Sequence, residues 1–482
     1  MKKKNPVILE NVLVEDYAAE GKSLARTNGK VVFIENTVPG DVVDVYLFKN
    51  KKDWAAGWPM YFKEYSASRV EPFCSHFGVC GGCQWQMLPY EQQLMYKQKQ
   101  VSDNLKRIGK VTLPEISPII GCDDIKHYRN KLEYTFSAKK FIPDEEFRKL
   151  KAANADIDAA GLQDVAGFHA KGVYNKVVEI DVCHLQPEPS NELRKAIVAY
   201  ATENKLSFYN INEHRGFLRN MQLRMATTGE IMLNIIFGYE DEPMQKKLLD
   251  HVLKQFPAVT TLLYTINPKM NDTLNGVEPV TYYGKGYIVE KLESFQFKIS
   301  PKSFFQTNTK QAENLYRITR DFAELDGRQI IYDLYCGTGS IGIFVSNLAK
   351  KVIGVEMVEG AVKDARENAI LNNIQHASFF CGDVTKICDD DFFLMGGRPD
   401  VVITDPPRAG MHEKLVEKIQ QIGAPIIVYV SCNPATQARD LSLLDEKYGV
   451  EKIQPVDMFP HTHHIENVVQ LKSRRAISGR EE

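Results

Sequence analysis

The sequence predicts a multidomain chain: a small N-terminal β-barrel, an α+β middle region, and a C-terminal α/β unit built on a doubly wound parallel sheet. Three observations carry this. The 482 residues exceed what one ordinary core accommodates, so two to four domains are expected. Up to about residue 65 apolar and polar positions alternate between Gly and Pro-Gly punctuation, the pattern of short antiparallel strands. Beyond about residue 300 strand-like and helix-like segments alternate strictly, which builds βαβ units.

The barrel strands lie in VILENVLVEDY and GKVVFIENTVPGDVVDVYLF. The stretch FKNKKDWAAGWP then interleaves Lys49, Lys51 and Lys52 with Trp54 and Trp58. Those residues suit phosphate contact and base stacking, although solvated lysines beside half-buried tryptophans read equally well. A cysteine-bearing segment, FCSHFGVCGGCQWQ, follows, and then a polar helix over about 90–110 that is expected to pack on the C-terminal domain. In the middle region RNKLEYTFS, KVVEIDVC, LRNMQLRMATTGEIMLNIIF and TTLLYTIN read as strands, with ELRKAIVAYATEN and DEPMQKKLLDHVLKQF as helices. A charged, alanine-rich stretch at about 139–163 reads as a surface insertion. The expected boundaries are 1–66, 67–295 and 296–482.

Composition narrows the function classes. With 44% hydrophobic and 25% charged residues the chain has the make-up of a soluble globular protein, and no apolar run reaches the roughly 18 residues a membrane span needs. The basic start lacks the apolar stretch of a signal peptide, so a cytoplasmic address is expected. Nine cysteines are too sparse for a disulfide scaffold; clustered ones point to metal or catalysis. A net charge of -2 gives no general attraction to polyanions, so any nucleic acid must be held by a local basic patch.

In the C-terminal part, DLYCGTGSIG ends a strand and opens a helix, with Gly337, Gly339 and Gly342 spaced as G-x-G-x-x-G. That pattern admits NAD. Two features favour S-adenosylmethionine instead. Asp333 precedes the glycines, where it would face the positively charged methionine end, and Asp383 ends a later strand where it would meet the adenine amino group. Glu356, ending the strand between them, would take the ribose hydroxyls of either cofactor.

Asp405-Pro-Pro-Arg408 ends the fourth strand, and an arginine where an aromatic ring would stack on a base argues against amino-group methylation. Cys432 ends the next strand, on the edge where doubly wound folds keep their chemistry. A methyltransferase needs a thiol when the target carbon is weakly nucleophilic. Addition of thiolate to C6 of uracil turns C5 into an enolate carbon able to attack a methyl sulfonium. The C5 proton must then be removed, and Glu466 in HTHHIE is the evident base. For Cys432 the plain alternative is a buried small hydrophobe, and for Glu466 a salt bridge to a neighbouring histidine.

Two long ordered segments, DPPRAG followed by IIVYVSCNPAT, and VDMFPHTHHIE, resemble the RNA (uracil-5-)-methyltransferases, specifically the iron–sulfur branch acting on 23S rRNA. The resemblance covers nearly the whole chain. It implies an OB-like TRAM barrel for RNA binding, a middle domain with an iron–sulfur site, and a Rossmann-like S-adenosylmethionine-dependent catalytic domain. It further implies Cys432 as nucleophile, Glu466 as general base, and cofactor contacts at Gln306, Tyr335, Ser340, Glu356, Asp383 and Asp405. The extruded base would come from a loop held by barrel and middle domain. Phe304 suits either stacking there or core packing.

Cys74, Cys80 and Cys83 supply three ligands, and Cys183 in DVCHLQP is the best fourth. Four thiolates suit a [4Fe–4S] cluster or a tetrahedral zinc, and His76 even permits a Cys3His zinc site. The resemblance selects the cluster, since the transfer-RNA branch lacks both cluster and TRAM domain. Cys122, Cys336, Cys381 and Cys388 read as structural or incidental. The expected activity is formation of 5-methyluridine in 23S rRNA by a monomer. The alternatives are a transfer-RNA uridine, an RNA cytosine, or a non-enzymatic rRNA-binding assembly factor.

Overall fold

The computed structural model describes residues 7–474; residues 1–6 and 475–482 of the outer expected domains lie outside them. Strands Val7–Leu13, Asp16–Tyr17, Ser23–Thr27, Lys30–Ile34, Val42–Asn50 and Trp54–Glu64 form one six-stranded sheet. Its alternating residues, among them Val12, Ala25, Val32, Ile34, Val43, Val45 and Ala55, make a single apolar core. The predicted barrel strands thus bury one face each, as a period of two requires. The opposite face leaves Phe48, Trp58 and Tyr61 exposed, with Trp58 stacked on Tyr46 at 5.8 Å and Lys49 over the Trp54 ring at 4.6 Å.

The chain then passes through the cysteine segment into a helix α1 (Tyr90–Asn104), prolonged by a wider helical turn at Leu105–Gly109. The middle region is a seven-stranded mixed sheet whose central strands are Lys131–Ser137, Leu218–Met225 and Ile231–Phe237. Helices Ser190–Glu203 and Glu242–Gln255 pack on it through Leu193, Ile197, Leu248, Leu249 and Val252. The stretch at 139–163 folds as two short helices, Asp144–Ala152 and Ile157–Gly161, without a buried residue. They connect Lys131–Ser137 to Val165–His169, which pair antiparallel, so the insertion is a lengthened hairpin loop.

The C-terminal sheet contains strands β1 (Ile330–Leu334), β2 (Lys351–Glu356), β3 (Ala377–Cys381), β4 (Val401–Thr404), β5 (Ile426–Ser431), β6 (Tyr448–Val456) and β7 (Glu466–Ser473). Their order is β3-β2-β1-β4-β5-β7-β6. The first five are parallel, with near-continuous apolar runs because helices cover both faces. The sheet is not parallel throughout, as the alternation had suggested. Only a turn, residues 457–465, joins β6 to β7; without a crossover helix the two pair antiparallel, and β7 inserts beside β5. That insertion brings Glu466, the first residue of β7, beside the end of β5. Among the described residues no helix is long and apolar enough to cross a membrane.

Candidate active site

The parallel strands end on one edge, and every candidate from the C-terminal motifs lies along it. Asp333 is the penultimate residue of β1 and is buried; its Oδ2 accepts the Gly342 N–H at 2.8 Å, fastening the glycine turn to the strand. Gly342 is required there, because a Cβ would stand 2.9 Å from that same oxygen. Tyr335, Gly337 and Gly339 turn through positive φ (61°, 54° and 75°) to reverse the chain over the strand end. At Gly339 a side chain would also meet the Phe379 ring at 2.9 Å. Glu356 ends β2 and accepts from the N–H groups of Gly337 (3.1 Å) and Val358 (2.9 Å).

Asp383, after β3, caps a short helix by accepting the Thr385 N–H at 3.0 Å and its hydroxyl at 2.8 Å through Oδ1. Asp405 follows β4, and its N–H donates to the Leu334 carbonyl. Gln306 is buried in the turn before helix Thr309–Phe322. Ser340 shares a 2.9 Å hydrogen bond with the Tyr316 hydroxyl of that helix. The sequence did not disclose Tyr316: NTKQAENLYRITRDF reads as an ordinary amphipathic helix, with no local mark of a partner in the glycine loop. Phe304 is 68% exposed and the core position belongs to Phe305, so packing is not its role.

This edge concentrates negative charge. Burial pushes the Asp333 carboxyl up to about 7, the Gly342 N–H opposes that, and Asp405 and Glu356 push it further up. Asp405 is likewise pushed up to about 7 by burial. The Oδ1 of Asp333 is buried without a hydrogen-bond partner. An orphaned carboxylate oxygen among further carboxylates is a costly arrangement unless a cation completes it. A sulfonium with an ammonium beside it fits that donor set.

The two reactive candidates face one another. The register that pairs Ser431 with Asn467 places Cys432 and Glu466 opposite each other, at the end of β5 and the start of β7. The Cys432 thiol is pushed up to about 11 by burial, then by Glu466 and Asp405, while Arg408 pulls it down. Glu466 is buried, and desolvation followed by Asp405 raises its carboxyl well above the ordinary range, against the pull of Arg408. Among the described residues no histidine forms an ion pair with Glu466. Burial holds His463 down at about 4 and His464 at about 3, both neutral, which removes the salt-bridge reading. Arg408, singled out only for not being aromatic, donates to His464 Nδ1 at 3.1 Å and accepts from Asn433 Nδ2 at 3.0 Å. Its positive charge acts on both candidates, Cys432 and Glu466.

A second constellation lies in the middle region. Cys74, Cys80, Cys83 and Cys183 line one cavity of about 330 Å³, and none is disulfide-bonded. Burial pushes Cys80 up to about 11 and Cys83 to about 12, and neighbouring thiols add to both. His76 also lines this cavity, but its Nε2 accepts the Asp181 N–H at 3.2 Å. Among the described residues no group of three or more His, Cys, Asp or Glu side chains is arranged to hold a single metal ion. Four thiols around one cavity are the donor set of a thiolate-ligated metal group, a cluster or a zinc ion alike. Cys122, Cys336 and Cys388 are buried, as structural cysteines would be, whereas Cys381 is exposed.

A family model described as tRNA (Uracil-5-)-methyltransferase matches residues 281–474, and a TRAM domain model matches 9–57. A protein of Bacteroides thetaiotaomicron named as an RNA methyltransferase is 50% identical over 95% of this chain and 100% of its own length. The chain belongs to the tRNA (uracil-5-)-methyltransferase family. A family member of Porphyromonas gingivalis, also named as an RNA methyltransferase, is 46% identical over 95% of this chain and 98% of its own. The tRNA (uracil-54, C5)-methyltransferase of Pyrococcus abyssi, solved with S-adenosyl-L-homocysteine, superposes with a TM-score of 0.73 at 29% identity, covering 96% of this chain and 100% of that one. This family member is thus an S-adenosylmethionine-dependent RNA methyltransferase of the uracil-5 type with an N-terminal TRAM domain. The Pyrococcus enzyme also corrects one expectation. It acts on tRNA yet matches 96% of this chain, so the barrel and cysteine regions do not by themselves mark an rRNA enzyme.

Proposed function

We propose that the chain forms 5-methyluridine in 23S rRNA through a covalent adduct on Cys432, as a cytoplasmic monomer. The observation that supports the covalent chemistry is the apposition of Cys432 and Glu466 at two antiparallel strand ends, with Asp405 near enough to raise the Glu466 carboxyl; the 23S rRNA substrate rests on the resemblance of the sequence motifs. In order, the Cys432 thiolate adds to C6 and the ring electrons move to O4. The enolate carbon C5 then takes the methyl group. Glu466 removes the proton left on C5, and the returning electrons expel the thiolate. A carboxylate raised by burial is the stronger base, and a thiol raised to about 11 is the stronger nucleophile once ionised. Arg408 offers the positive charge that favours that ionisation.

S-adenosylmethionine, when bound, supplies the electrophilic methyl group on a sulfonium. Asp333 and Asp405 would face that charge, Glu356 the ribose, and Asp383 the adenine amino group; Gln306, Tyr335 and Ser340 would shape the methionine end. Cys74, Cys80, Cys83 and Cys183 would hold a [4Fe–4S] cluster, tying the cysteine loop to the middle sheet. No step of methyl transfer runs through it. The exposed Trp58, Tyr61 and Phe48 of the barrel, with Lys49, would stack on and neutralise flanking RNA.

A second reading is methylation of a tRNA uridine, which the match to the Pyrococcus enzyme favours. Incubation with methyl-labelled cofactor and unmodified 23S rRNA and tRNA transcripts decides between them. The proposal expects labelled 5-methyluridine in the rRNA. Label in tRNA alone establishes the second reading, and label in neither overturns both.

A further inference from the structure

The cysteine loop is fastened directly to the turn that delivers Glu466. That turn, residues 457–465, contains His461, a non-glycine residue at φ 65°. Such a conformation persists only where neighbours over-determine it. The His461 carbonyl accepts the N–H groups of Gln84 (2.8 Å) and Trp85 (3.0 Å), and its own N–H donates to Gln93 Oε1 at 2.8 Å. Its ring bonds Gln93 Nε2 at 3.2 Å and the Ile125 carbonyl at 3.0 Å. Gln84, the residue after Cys83, also accepts at Oε1 from the His463 backbone (3.4 Å) and from His463 Nδ1 (3.0 Å). His464 then meets Arg408, whose carbonyl takes the Asn433 side chain beside Cys432. An unbroken run of contacts therefore leads from Cys83 to both reactive groups.

We propose that Gln84 is a positioning residue for Glu466: its side chain holds His463, and through it the turn that aims the base at the C5 proton. The inference rests on the role of Glu466 proposed above. It implies that whatever orders the cysteine loop also orders the base. Thiolate addition and methyl transfer do not use Glu466, so misplacing it slows only the last step. A displacement of about 1 Å costs on the order of 100-fold in such a step.

The test uses the full-length chain with S-adenosylmethionine and an unmodified 23S rRNA transcript, with unmodified tRNA alongside. Three variants are compared with the wild type for turnover, for denaturant-resistant protein–RNA adduct, and for cofactor affinity. Gln84→Ala is expected to lose 10- to 100-fold in turnover, on that same 1 Å scale, while adduct accumulates and cofactor affinity is unchanged. Gln84→Glu, whose carboxylate still accepts both His463 groups, is expected to restore turnover and clear the adduct. Turnover and adduct falling together in Gln84→Ala would mean a merely structural role and overturns the inference, as does unchanged turnover. Adduct in Glu466→Gln but not in Gln84→Ala overturns the inference alone. No adduct in Glu466→Gln overturns the base assignment and the inference with it.

Discussion

Asp333 and Asp405 are the residues at which the energetics of the site are most exposed. Both carboxyls are pushed up to about 7, so each holds its proton below that pH in the empty protein. Because a raised carboxyl makes the folded state bind more protons than the unfolded chain, the empty protein loses stability as pH rises through 7. The same ionisation creates the charge that a sulfonium needs. S-adenosylmethionine should therefore gain up to about tenfold in affinity between pH 6 and pH 8 relative to S-adenosylhomocysteine, whose sulfur is neutral. Calorimetric titration of both ligands at the two pH values checks this; an unchanged ratio would contradict it. These two carboxylates, with Glu356 and Asp383, were legible in the sequence because each lies at or just past the end of an apolar strand. The hydrogen bond between Ser340 and Tyr316 was not, since it spans a helix and a loop that no local pattern connects.

Among the elements, α1 has the most to do with how the site is held. Tyr90, Gln93 and Lys97 recur at spacings of three and four, so they share one helix face. Tyr90 donates to Asp457 Oδ2 at 2.7 Å, Lys97 to Asp457 Oδ1 at 2.6 Å and to the Phe459 carbonyl at 3.1 Å, and Gln93 grips His461. The sequence predicted the helix and its packing against the C-terminal part, but a polar face of this kind reads as solvated. Its partners lie some 360 positions away along the chain. Lys97 and Asp457 are both fully buried, with burial holding the Lys97 ammonium below its usual range and Asp457 opposing that. Removing one partner strands the other charge, so Lys97→Ala should cost about 3–5 kcal/mol in denaturant unfolding. A loss below about 1 kcal/mol, the worth of a surface pair, would contradict this account of α1.

At the scale of the whole molecule, barrel, cysteine loop, α1 and C-terminal sheet meet around the turn at 457–465. Trp85 donates to the barrel carbonyl of Gly21 at 3.2 Å, and Gly21 packs so closely on His463 that a Cβ there would lie 2.9 Å from it. The strand–helix alternation disclosed the sheet and the strand-end positions. It did not disclose that β7 turns back antiparallel beside β5, although that single reversal is what sets Glu466 against Cys432. If this pair performs covalent methylation at C5, Glu466→Gln incubated with S-adenosylmethionine and unmodified rRNA stops at the adduct. After nuclease digestion, mass spectrometry of the peptide containing VYVSCNPAT should find a methylated uridine nucleotide bound at Cys432. Free 5-methyluridine with no adduct, or 5-methyluridine made by a Cys432→Ala variant, would contradict the account.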